Sequence, residues 1–466
     1  MNRSERNHAA SALGLSRRNF LLGSLSATLG AGLLGRRWGS AAPRSITLAA
    51  PNSDYRALVC VYLVGGNDSY NFLVPSTGSA YDAYADARAN LALPAGDLLP
   101  VGLVGNPAQE MGFHPRLPKL RQRFLSGDLG VVANVGTLNA PTTAADVLAK
   151  APHLPPHLFS HSDQSRFWQG RQAQGSEASG WGAGLIELLA GEAGESSLPP
   201  AISLGGANPW QTGGNTSPYG IGPGGSVAYL GFDGEGLGPA RKQVFDQLIA
   251  GGSGRVLADA FAERHRRSLE FGDVVAGALA DAPSAPGPLP ADNELAEKLD
   301  AIARLASQHT SLGAARQIFF VRMHGFDTHT GHLANQPELF RQLDDALSSF
   351  QDTLDGFGLA DCVTTFTASD FGRSLTSNGK GCDHGWGGHQ FVLGGAVTGG
   401  AAYGTWPTLA LASPEDVGFG RLLPTTAVDQ MSATLASWMG VAPASLPMLF
   451  PNLSTFSSSN LGFLPA

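Results

Sequence analysis

The stretch "RALVCVYLVGGND", residues 56–68, is an almost unbroken apolar run that ends in two glycines, an asparagine and an aspartate. Strands that are buried on both faces of a parallel sheet have this near-continuous hydrophobic pattern. Ligand sites in open α/β sheets form outside the carboxyl ends of the strands. The stretch therefore predicts a central strand, and it places Asp68 at the sheet edge where chemistry is expected.

Five further apolar runs predict additional strands, and helical patterns lie between several of them. The runs cover residues 128–136, 200–206, 316–329, 361–373 and 390–397. Residues 337–358 have apolar side chains at helical spacing, with Pro337 at the start and Gly358 at the end, and they connect two of the runs. This strand-helix-strand order predicts an α/β fold with a mostly parallel central sheet.

The composition is that of a globular protein with long ordered loops. Of the 466 residues, 43% are hydrophobic and 15% are charged, and the chain has 61 glycines and 30 prolines. At this length, one large domain with insertions and two separate domains are both compatible with the pattern. We predict a single domain over residues 43–466, with a loop-rich insertion at about 141–232 and a helical region at about 239–312.

The net charge and the cysteine content argue against several classes of protein. The formal net charge is −8 and no basic run follows residue 42, so no nucleic-acid partner is expected. Three cysteines cannot form a disulfide framework. Cys60 and Cys362 lie in apolar runs and are expected to be buried free thiols, whereas Cys382 lies beside polar residues.

The amino terminus has the pattern of an export signal. Arg17 and Arg18 precede an apolar run at residues 20–34, and small residues suited to cleavage follow it. This looks like a twin-arginine signal peptide over residues 1–42. It predicts a periplasmic or extracellular protein whose partner during export is the twin-arginine translocase. The apolar run is short for a membrane span, which needs about 20 residues, although an uncleaved anchor stays open.

Three of the strand-like runs end in carboxylates that are followed by glycine, histidine or arginine. The polar residues concerned are Asp68, Asp327, His329, His332, Asp370 and Arg373. Because the carboxyl ends of parallel strands meet at one sheet edge, we expect these residues to converge. Several carboxylates at one edge repel one another, so a divalent cation is the simplest way to hold them ionised together. Aspartate oxygens and neutral histidine nitrogens suit Zn²⁺ or Mn²⁺, and Mg²⁺ or Ca²⁺ where fewer histidines take part.

The stretch "GCDHGWGGH", residues 381–389, follows the last of these motifs. It adds Asp383, His384 and His389 as candidate metal ligands, and its glycines permit the irregular backbone that neighbouring ligands need. A glycine-rich turn that happens to carry polar residues is the alternative interpretation. For individual aspartates and histidines, helix capping and hydrogen bonds to nearby backbone are further alternatives.

Other catalytic motifs are weaker. The segment "SHSDQSRFWQG", residues 160–170, contains serine, histidine and aspartate, but sequence neighbours seldom form a catalytic triad. A GxSxG nucleophile elbow is absent from the sequence. The segment "GIGPGG", residues 220–225, follows a loop and predicts a turn rather than a cofactor-binding loop.

Several segments together resemble the exported bacterial family known as domain of unknown function 1501. They are "VYLVGGNDSYNFLVP", "FSHSDQSRFWQG", "GFDTHTGH", "TASDFGRSLTSNGKGCDHGWGGHQFVLGGAV" and "GRLLPTTAVDQMSATLASWMGV", in this order along nearly the whole mature chain. That family is grouped with the alkaline phosphatase and sulfatase superfamily. The resemblance implies an alkaline-phosphatase-like α/β/α sandwich with a metal site at the carboxyl edge of its sheet.

The resemblance also implies roles for single residues. Asp68 follows the first strand as the first metal-binding aspartate of the superfamily does, and Asp327 with a nearby histidine resembles its second ligand segment. Asp370 resembles the first member of an aspartate-histidine ligand pair. Ser69 is the hydroxyl nearest to the position of the superfamily nucleophile.

One position departs from the superfamily pattern. Phe371 stands where the ligand pair has its histidine, which removes one expected ligand from a two-metal centre. The glycine-rich stretch that follows offers replacements. We therefore expect His384, with Asp383 or His389, to complete the coordination.

These implied roles predict an exported, metal-dependent hydrolase of phosphate or sulfate esters, with a small-molecule or polymer-borne anionic substrate. Arg373 is expected to bind the anionic oxygens, with an ion pair to Asp370 as the alternative. His114, His161 or His329 would transfer protons. An exported binding or scaffold protein that keeps the fold and a structural cation is the alternative function. The oligomeric state is open.

Overall fold

Strand β1, Arg56–Leu63, lies inside the central sheet and pairs in parallel with two neighbours. The computed structural model describes residues 55–103, 106–170, 179–191, 195–226, 231–232 and 236–465. On one side of β1 lies β9, Arg316–Met323, and on the other lies β10, Val363–Ser369. The predicted signal peptide, residues 1–42, lies outside the described residues.

The remaining elements surround this three-stranded centre. The other strands are β2 Leu73–Pro75, β3 Leu99–Leu103, β4 Asn106–Phe113, β5 Leu129–Gly136, β6 Ala201–Ser203, β7 Tyr219–Gly222, β8 Gly225–Ser226, β11 Arg373–Ser377, β12 Cys382–His384, β13 Gly388–Leu393, β14 Ala402–Tyr403 and β15 Thr426–Ala427. The α-helices are α1 Gly78–Arg88, α2 Pro118–Ser126, α3 Ala144–Leu148, α4 His161–Gln169, α5 Trp181–Leu188, α6 Gly238–Ile249, α7 Val256–Asp281, α8 Glu294–Ser307, α9 His309–Leu312, α10 His332–Phe357, α11 Val428–Met439 and α12 Leu446–Leu449.

The central sheet is mostly parallel. Its described strands follow the order β14-β5-β13-β10-β1-β9-β6-β7-β8, and β15 also pairs with β5. Only β13 and β8 run against their neighbours. The α/β prediction is therefore confirmed. The run at 390–397 forms part of β13, which is antiparallel, because an apolar run records burial but not strand direction.

Successive side chains of β1 enter two separate hydrophobic cores, because side chains alternate between the faces of a strand. Val59 and Val61 belong to a core built with side chains of α8 and α10. Leu58 and Cys60 belong to a second core built with side chains of α5 and α11. Helices therefore cover both faces of the sheet, which gives three α/β/α layers. These layers are consistent with an alkaline-phosphatase-like sandwich.

Helix α10 begins earlier than its proline suggests. It starts at His332, five residues before Pro337, which lies inside the helix. Gly331 sets the start, because its left-handed backbone (φ 66°) turns the chain from the sheet into the helix. The prediction that Pro337 starts the helix was wrong. The earlier start puts His332 in the first turn, close to the carboxyl edge of the sheet.

The predicted loop-rich region, residues 141–232, contains short elements between its loops. Its described parts include α3, α4, α5, β6, β7 and β8. Residues 220–225 run through β7 into the turn before β8, so "GIGPGG" forms a hairpin turn. The first residue of α4 is His161, so this region contributes to the edge where the parallel strands end.

Several helices are long, among them α7 and α10 with 26 residues each. Over the described ranges, however, no helix has an apolar stretch of the length that crossing a membrane requires.

Asp344 of α10 stabilises the start of α2 from a distance. Its carboxylate accepts hydrogen bonds from the backbone amides of Lys119 (3.2 Å) and Leu120 (2.7 Å), which have no partner within their own helix. We expect Asp344→Ala to lower the free energy of unfolding by about 1–2 kcal/mol, as loss of a helix cap does. Denaturant unfolding followed by circular dichroism measures the change.

The neighbouring Asp345 provides the control for this measurement. It pairs with Lys119 and Arg341 on the surface, so Asp345→Ala should cost less than about 1 kcal/mol. Equal losses in the two variants would contradict the capping role of Asp344.

Candidate metal centre

Three imidazoles converge on one carboxylate at the carboxyl edge of the sheet. Asp327 Oδ1 lies 3.6 Å from His161 Nε2, 3.2 Å from His329 Nε2 and 3.5 Å from His384 Nε2. The Nε2 atoms of His329 and His384 are themselves 2.9 Å apart. His161, Asp327 and His384 offer donor atoms that all lie within 4.8 Å of one another. His329 adds a fourth side chain, because its Nε2 contacts both Asp327 and His384. These four side chains are called the histidine cluster below.

The other ring nitrogen of each histidine faces a hydrogen-bond acceptor. His161 Nδ1 lies 2.6 Å from Asp370 Oδ2, and His329 Nδ1 lies 3.1 Å from Asp383 Oδ1. His384 Nδ1 lies 2.8 Å from the carbonyl oxygen of residue 159. Each Nδ1 must therefore carry the proton, because an acceptor needs a donor opposite it. A neutral ring that is protonated at Nδ1 has a lone pair at Nε2.

When the rings are neutral, lone pairs therefore face lone pairs in the histidine cluster. The Nε2 atoms of His329 and His384 point at each other and at the carboxylate of Asp327. His161 Nε2 is buried and has no hydrogen-bond partner among the described residues. Burial lowers the pKa of His384, which disfavours a charged ring there. A cation between these atoms removes the conflict.

The donor set fits a transition-metal ion of the zinc type. Imidazole nitrogens bind Zn²⁺ at about 2.0–2.1 Å, so two of them on one ion lie about 3–3.5 Å apart. The contacts in the histidine cluster fall near this spacing. Metal-bound histidines also usually donate their other N–H to a carboxylate or a backbone carbonyl, as all three do here. Three nitrogens with one carboxylate suit Zn²⁺ or Mn²⁺ better than Mg²⁺ or Ca²⁺, which prefer oxygen ligands.

Asp370 and Asp383 hold imidazoles in place. Besides His161, the buried Asp370 accepts the amide of Gly65 (3.1 Å) and the hydroxyl of Ser165 (2.9 Å). Asp383 faces the outer side of the His329 ring. Both carboxylates were predicted as direct ligands. In this geometry they orient the rings that face the centre.

Arg373 is the charge partner of Asp327. Its guanidinium donates to Asp327 Oδ1 from Nη1 (3.0 Å) and Nη2 (2.9 Å), and it also donates to the carbonyl oxygens of Gly65 and Cys382. The side chain is fully enclosed. Arg373 was expected to bind an external anion, with an ion pair to Asp370 as the alternative. The ion pair that forms is with Asp327, and the enclosed guanidinium is not exposed to an external anion.

Phe371 packs against the histidine cluster. Its ring centroid lies 4.7 Å from that of His161 and 4.6 Å from that of His384. A Cβ atom at Gly66 would lie only 2.4 Å from the Phe371 ring, so the second glycine of the opening stretch makes room for it. The position that could have held a ligand instead supports two imidazoles from one side.

A second, fully buried cluster contains Asp68 and His332. Asp68 forms an ion pair with Arg88, and its Oδ2 atom lies 3.2 Å from His332 Nε2 and 3.6 Å from Cys382 Sγ. The Nδ1 atom of His332 lies 2.7 Å from the Thr328 hydroxyl. The structure thus separates these two predicted ligands from the histidine cluster, and it gives Asp68 a cation within the chain.

The titration of this buried cluster follows from its charges. Burial alone would raise the pKa of Asp68, but the charge of Arg88 and the contact with His332 hold it well below its usual range. Burial and the neighbouring Asp68 raise the pKa of the Cys382 thiol to about 12. Cys382 is therefore a neutral thiol, which makes it a poor metal ligand as it stands.

His389, His114 and Ser69 are buried in other surroundings. The ring of His389 stacks on Trp406 with centroids 4.1 Å apart, and its Nδ1 accepts the amide of Asn134 at 3.0 Å. The hydroxyl of Ser69 accepts the amide of His389 at 2.6 Å. His114 Nδ1 accepts the amide of Arg116 at 3.0 Å. These contacts hold backbone segments together and do not include the histidine cluster.

Sequence reasoning missed three contributors to this edge. Ser165 lies four residues after His161 on α4, so both face the same side, and this spacing could have indicated a shared partner. Residue 159 contributes only a carbonyl, which no side-chain pattern reveals. Arg88 ends α1, and nothing in its surroundings along the chain indicates Asp68 as its partner.

Comparisons with known proteins include a family match and distant structural likenesses. The model of the family described as "Protein of unknown function (DUF1501)" matches residues 278–452. This segment includes Asp327, His329 and His384 but not His161. A search of curated proteins gave no match.

Among solved structures, the chain is similar to the lipoteichoic acid synthase LtaP from Listeria monocytogenes, with 8% sequence identity and a TM-score of 0.33. The likeness covers 85% of this chain and 75% of that one. At this identity and score it supports no inference about activity.

Loss of an inward-facing imidazole should remove bound metal. We expect His161→Ala and His384→Ala to lose most of the zinc or manganese that the purified protein carries. Asp370→Asn should weaken binding about 10–100-fold, because it disturbs the orientation of His161. Elemental analysis and titration with a chromophoric chelator measure both effects.

His324→Ala is the matched control, because His324 is exposed at the end of β9 and has no place in the histidine cluster. Metal content that stays at the wild-type level in His161→Ala and His384→Ala would contradict the proposed centre.

Two buried histidines should make stability depend on pH. Burial lowers the pKa of His389 from 6.5 to about 3, and burial together with Arg116 lowers that of His114 to about 3. Between these values the unfolded chain binds more protons than the folded one, so stability falls as the pH falls from about 6.5 to 3. Each group contributes at most about 1.4 kcal/mol per pH unit.

Urea unfolding at several pH values, with chelator present to remove metal effects, measures this slope. His389→Gln and His114→Gln should each flatten it, whereas His324→Gln should not. A slope that is unchanged in both buried variants would show that neither histidine is held neutral by the fold.

Proposed function

We propose that this protein is a metal-dependent hydrolase of phosphate or sulfate esters. The observation that carries the proposal is the set of three Nε2 lone pairs aimed at one carboxylate, each fixed by an acceptor behind its ring. The metal-facing Nε2 of His161 is buried, but the side chains of the cluster reach the surface. The side chains of His161, His329 and Asp327 are 36%, 40% and 50% exposed. A purely structural ion is normally enclosed, whereas a catalytic one keeps an open position.

His161, His329, His384 and Asp327 would hold the ion. When bound, a divalent ion lowers the pKa of water and polarises an ester oxygen, which is the chemistry that ester hydrolysis requires. The chain's own residues provide orientation: Asp370 and Asp383 fix two rings, and Arg373 fixes Asp327. Because the rings are locked before a substrate arrives, little reorganisation is needed at the centre.

The attacking group in this proposal is water. Ser69 is buried and its hydroxyl contacts the backbone of His389, while Asp68 is paired with Arg88. Neither is placed at the histidine cluster to attack an ester. His161 and His329 were expected to transfer protons, but in this proposal both rings are ligands: Nε2 faces the ion and Nδ1 faces Asp370 or Asp383, so neither ring has a nitrogen free for proton transfer.

The same observation about Ser69 favours a second candidate function. A binding or scaffold protein with a structural cation needs no nucleophile. Ser69, the hydroxyl nearest to the expected position of a nucleophile, is buried. The "SRRNF" motif at residues 16–20 supports export of either kind of protein by the twin-arginine route, to the periplasm or the extracellular space. A fusion of residues 1–60 to a reporter, with both arginines changed to lysine as control, tests the export proposal.

Turnover of chromogenic esters separates enzyme from binder. We expect the metal-loaded protein to hydrolyse at least one of p-nitrophenyl phosphate, bis(p-nitrophenyl) phosphate and p-nitrophenyl sulfate. Chelation should abolish this activity. Asp327→Asn should lower kcat/KM by about 100-fold or more, because the variant loses a group that positions the catalytic centre. His324→Ala should retain it. Tightly bound metal without turnover of any of the three esters would favour the binding protein.

A further inference from the structure

Arg421 contacts the backbone of His384, a member of the histidine cluster. Its Nε donates to the backbone carbonyl of His384 at 3.1 Å. The guanidinium carbon lies 4.8 Å from the ring centroid of Phe159 and 5.5 Å from that of Phe419. Phe159 is the residue whose carbonyl orients the ring of His384. Arg421 therefore contacts two segments that hold the ring of His384: the backbone of His384 itself and the side chain of Phe159.

The guanidinium of Arg421 has N–H groups that are available to bind a ligand. Its Nη1 and Nη2 groups make no hydrogen bond or ion pair with any residue that the structure describes, and the side chain is only partly buried. The two arginines nearest to the site's carboxylates differ in this respect, because Arg373 is paired with Asp327 and Arg88 with Asp68. Contact with aromatic faces fixes the plane of a guanidinium while leaving its N–H edge free.

The backbone around Arg421 is strained on both sides. Phe159 has φ 71° and Phe419 has φ 60°, which is a left-handed conformation that bulky residues rarely adopt. The Phe419 side chain is also 78% exposed, although burial would be favourable for it. Strain of this kind persists where the surrounding structure imposes it, and it gathers at ligand sites.

Hydrogen bonds impose the strained turn that leads to Arg421. The carboxylate of Asp416 accepts the amides of Gly418 (2.8 Å) and Gly420 (3.0 Å). The carbonyl of Gly420 accepts the amide of Leu375, which belongs to β11. The turn is thus anchored to the hairpin that also carries Arg373 and His384. These bonds, with the one from Arg421 Nε to the carbonyl of His384, hold Arg421 next to His384.

We propose that Arg421 binds an anionic oxygen of the substrate, so that the protein recognises a phosphate or sulfate group through this residue. The inference rests on the proposed function and deepens it by naming the group that recognises the substrate. An anion that approaches the histidine cluster meets Asp327 and Asp383, whose side chains are 50% and 57% exposed. Their negative charge repels it, and a positive group beside the cluster offsets this repulsion. Arg421 is such a group, with an N–H edge suited to two oxygens of one tetrahedral anion.

Binding of inorganic phosphate and of inorganic sulfate to the metal-loaded protein tests this role without relying on turnover. Isothermal titration calorimetry should show the better of the two ions binding about tenfold or more weakly to Arg421→Gln than to the wild type, as expected for a lost charged hydrogen bond. Arg421→Lys keeps the charge but loses the fork, so its affinity should lie between the two. Elemental analysis should show unchanged metal content in both variants.

Arg341→Gln is the matched control, because Arg341 is an exposed arginine of α10 that pairs with Glu338 and Asp345. Its affinity should equal that of the wild type. Wild-type affinity in Arg421→Gln would overturn the inference, and so would the absence of binding of either ion to the wild type at millimolar concentration.

The same variants separate this inference from the proposed function. If esters are hydrolysed and Arg421→Gln leaves KM for the phosphate monoester unchanged, the inference fails while the hydrolase stands. If no ester is hydrolysed but anion binding depends on Arg421, the hydrolase fails while the anion site stands. A rise in KM that follows the loss of phosphate affinity, with a smaller change in kcat, is the expected result.

Discussion

The parallel register of three strands determines where the chemistry of this protein lies. Leu63 of β1 is paired with Met323 of β9 on one side and with Ser369 of β10 on the other, so the three strands end at the same level. Each is followed within a few residues by an aspartate. These carboxylates therefore gather at one edge, although Asp68 lies far from Asp327 and Asp370 along the chain. The positions of Asp327 and Asp370 in the candidate site depend on this alignment.

The protein manages the resulting negative charge in two different ways. Inside the fold, Asp68 is neutralised by the buried Arg88, and the pair closes off that part of the edge. A buried carboxylate would otherwise be costly. Toward the outside, Arg373 compensates Asp327, but the imidazoles around it bring only lone pairs. In this outer part, imidazole nitrogens and a carboxylate oxygen face one another at short distances, which is the physical basis for proposing a metal there.

The fold class could be predicted from local patterns, because apolar runs indicate buried strands and helical spacing between them indicates the connecting helices. The runs that became β1, β9 and β10 are apolar almost throughout, and their direction follows from the helices between them. For β13 the same apolar character gave no direction, and its connection to β10 contains the β11–β12 hairpin and no crossover helix, so the two strands are antiparallel. The start of α10 was misplaced because Gly331, and not Pro337, turns the chain. A left-handed glycine in a loop has no distinctive sequence signal.

Sequence by itself determined which residue types reach the carboxyl edge of the sheet, because parallel strands deliver their following loops to one place. Only the tertiary structure decided which of those residues face the candidate metal centre, which orient its imidazoles and which lie in the separate buried cluster. Asp370 and Asp383 turn to the outer nitrogens of imidazoles, Asp68 turns to Arg88, and His161 arrives from a separate helix. The physical reason is that orientation and charge pairing depend on distances of a few ångströms between segments far apart in sequence. The opening stretch "RALVCVYLVGGND" predicted where a site would form, and packing determined which atoms face it.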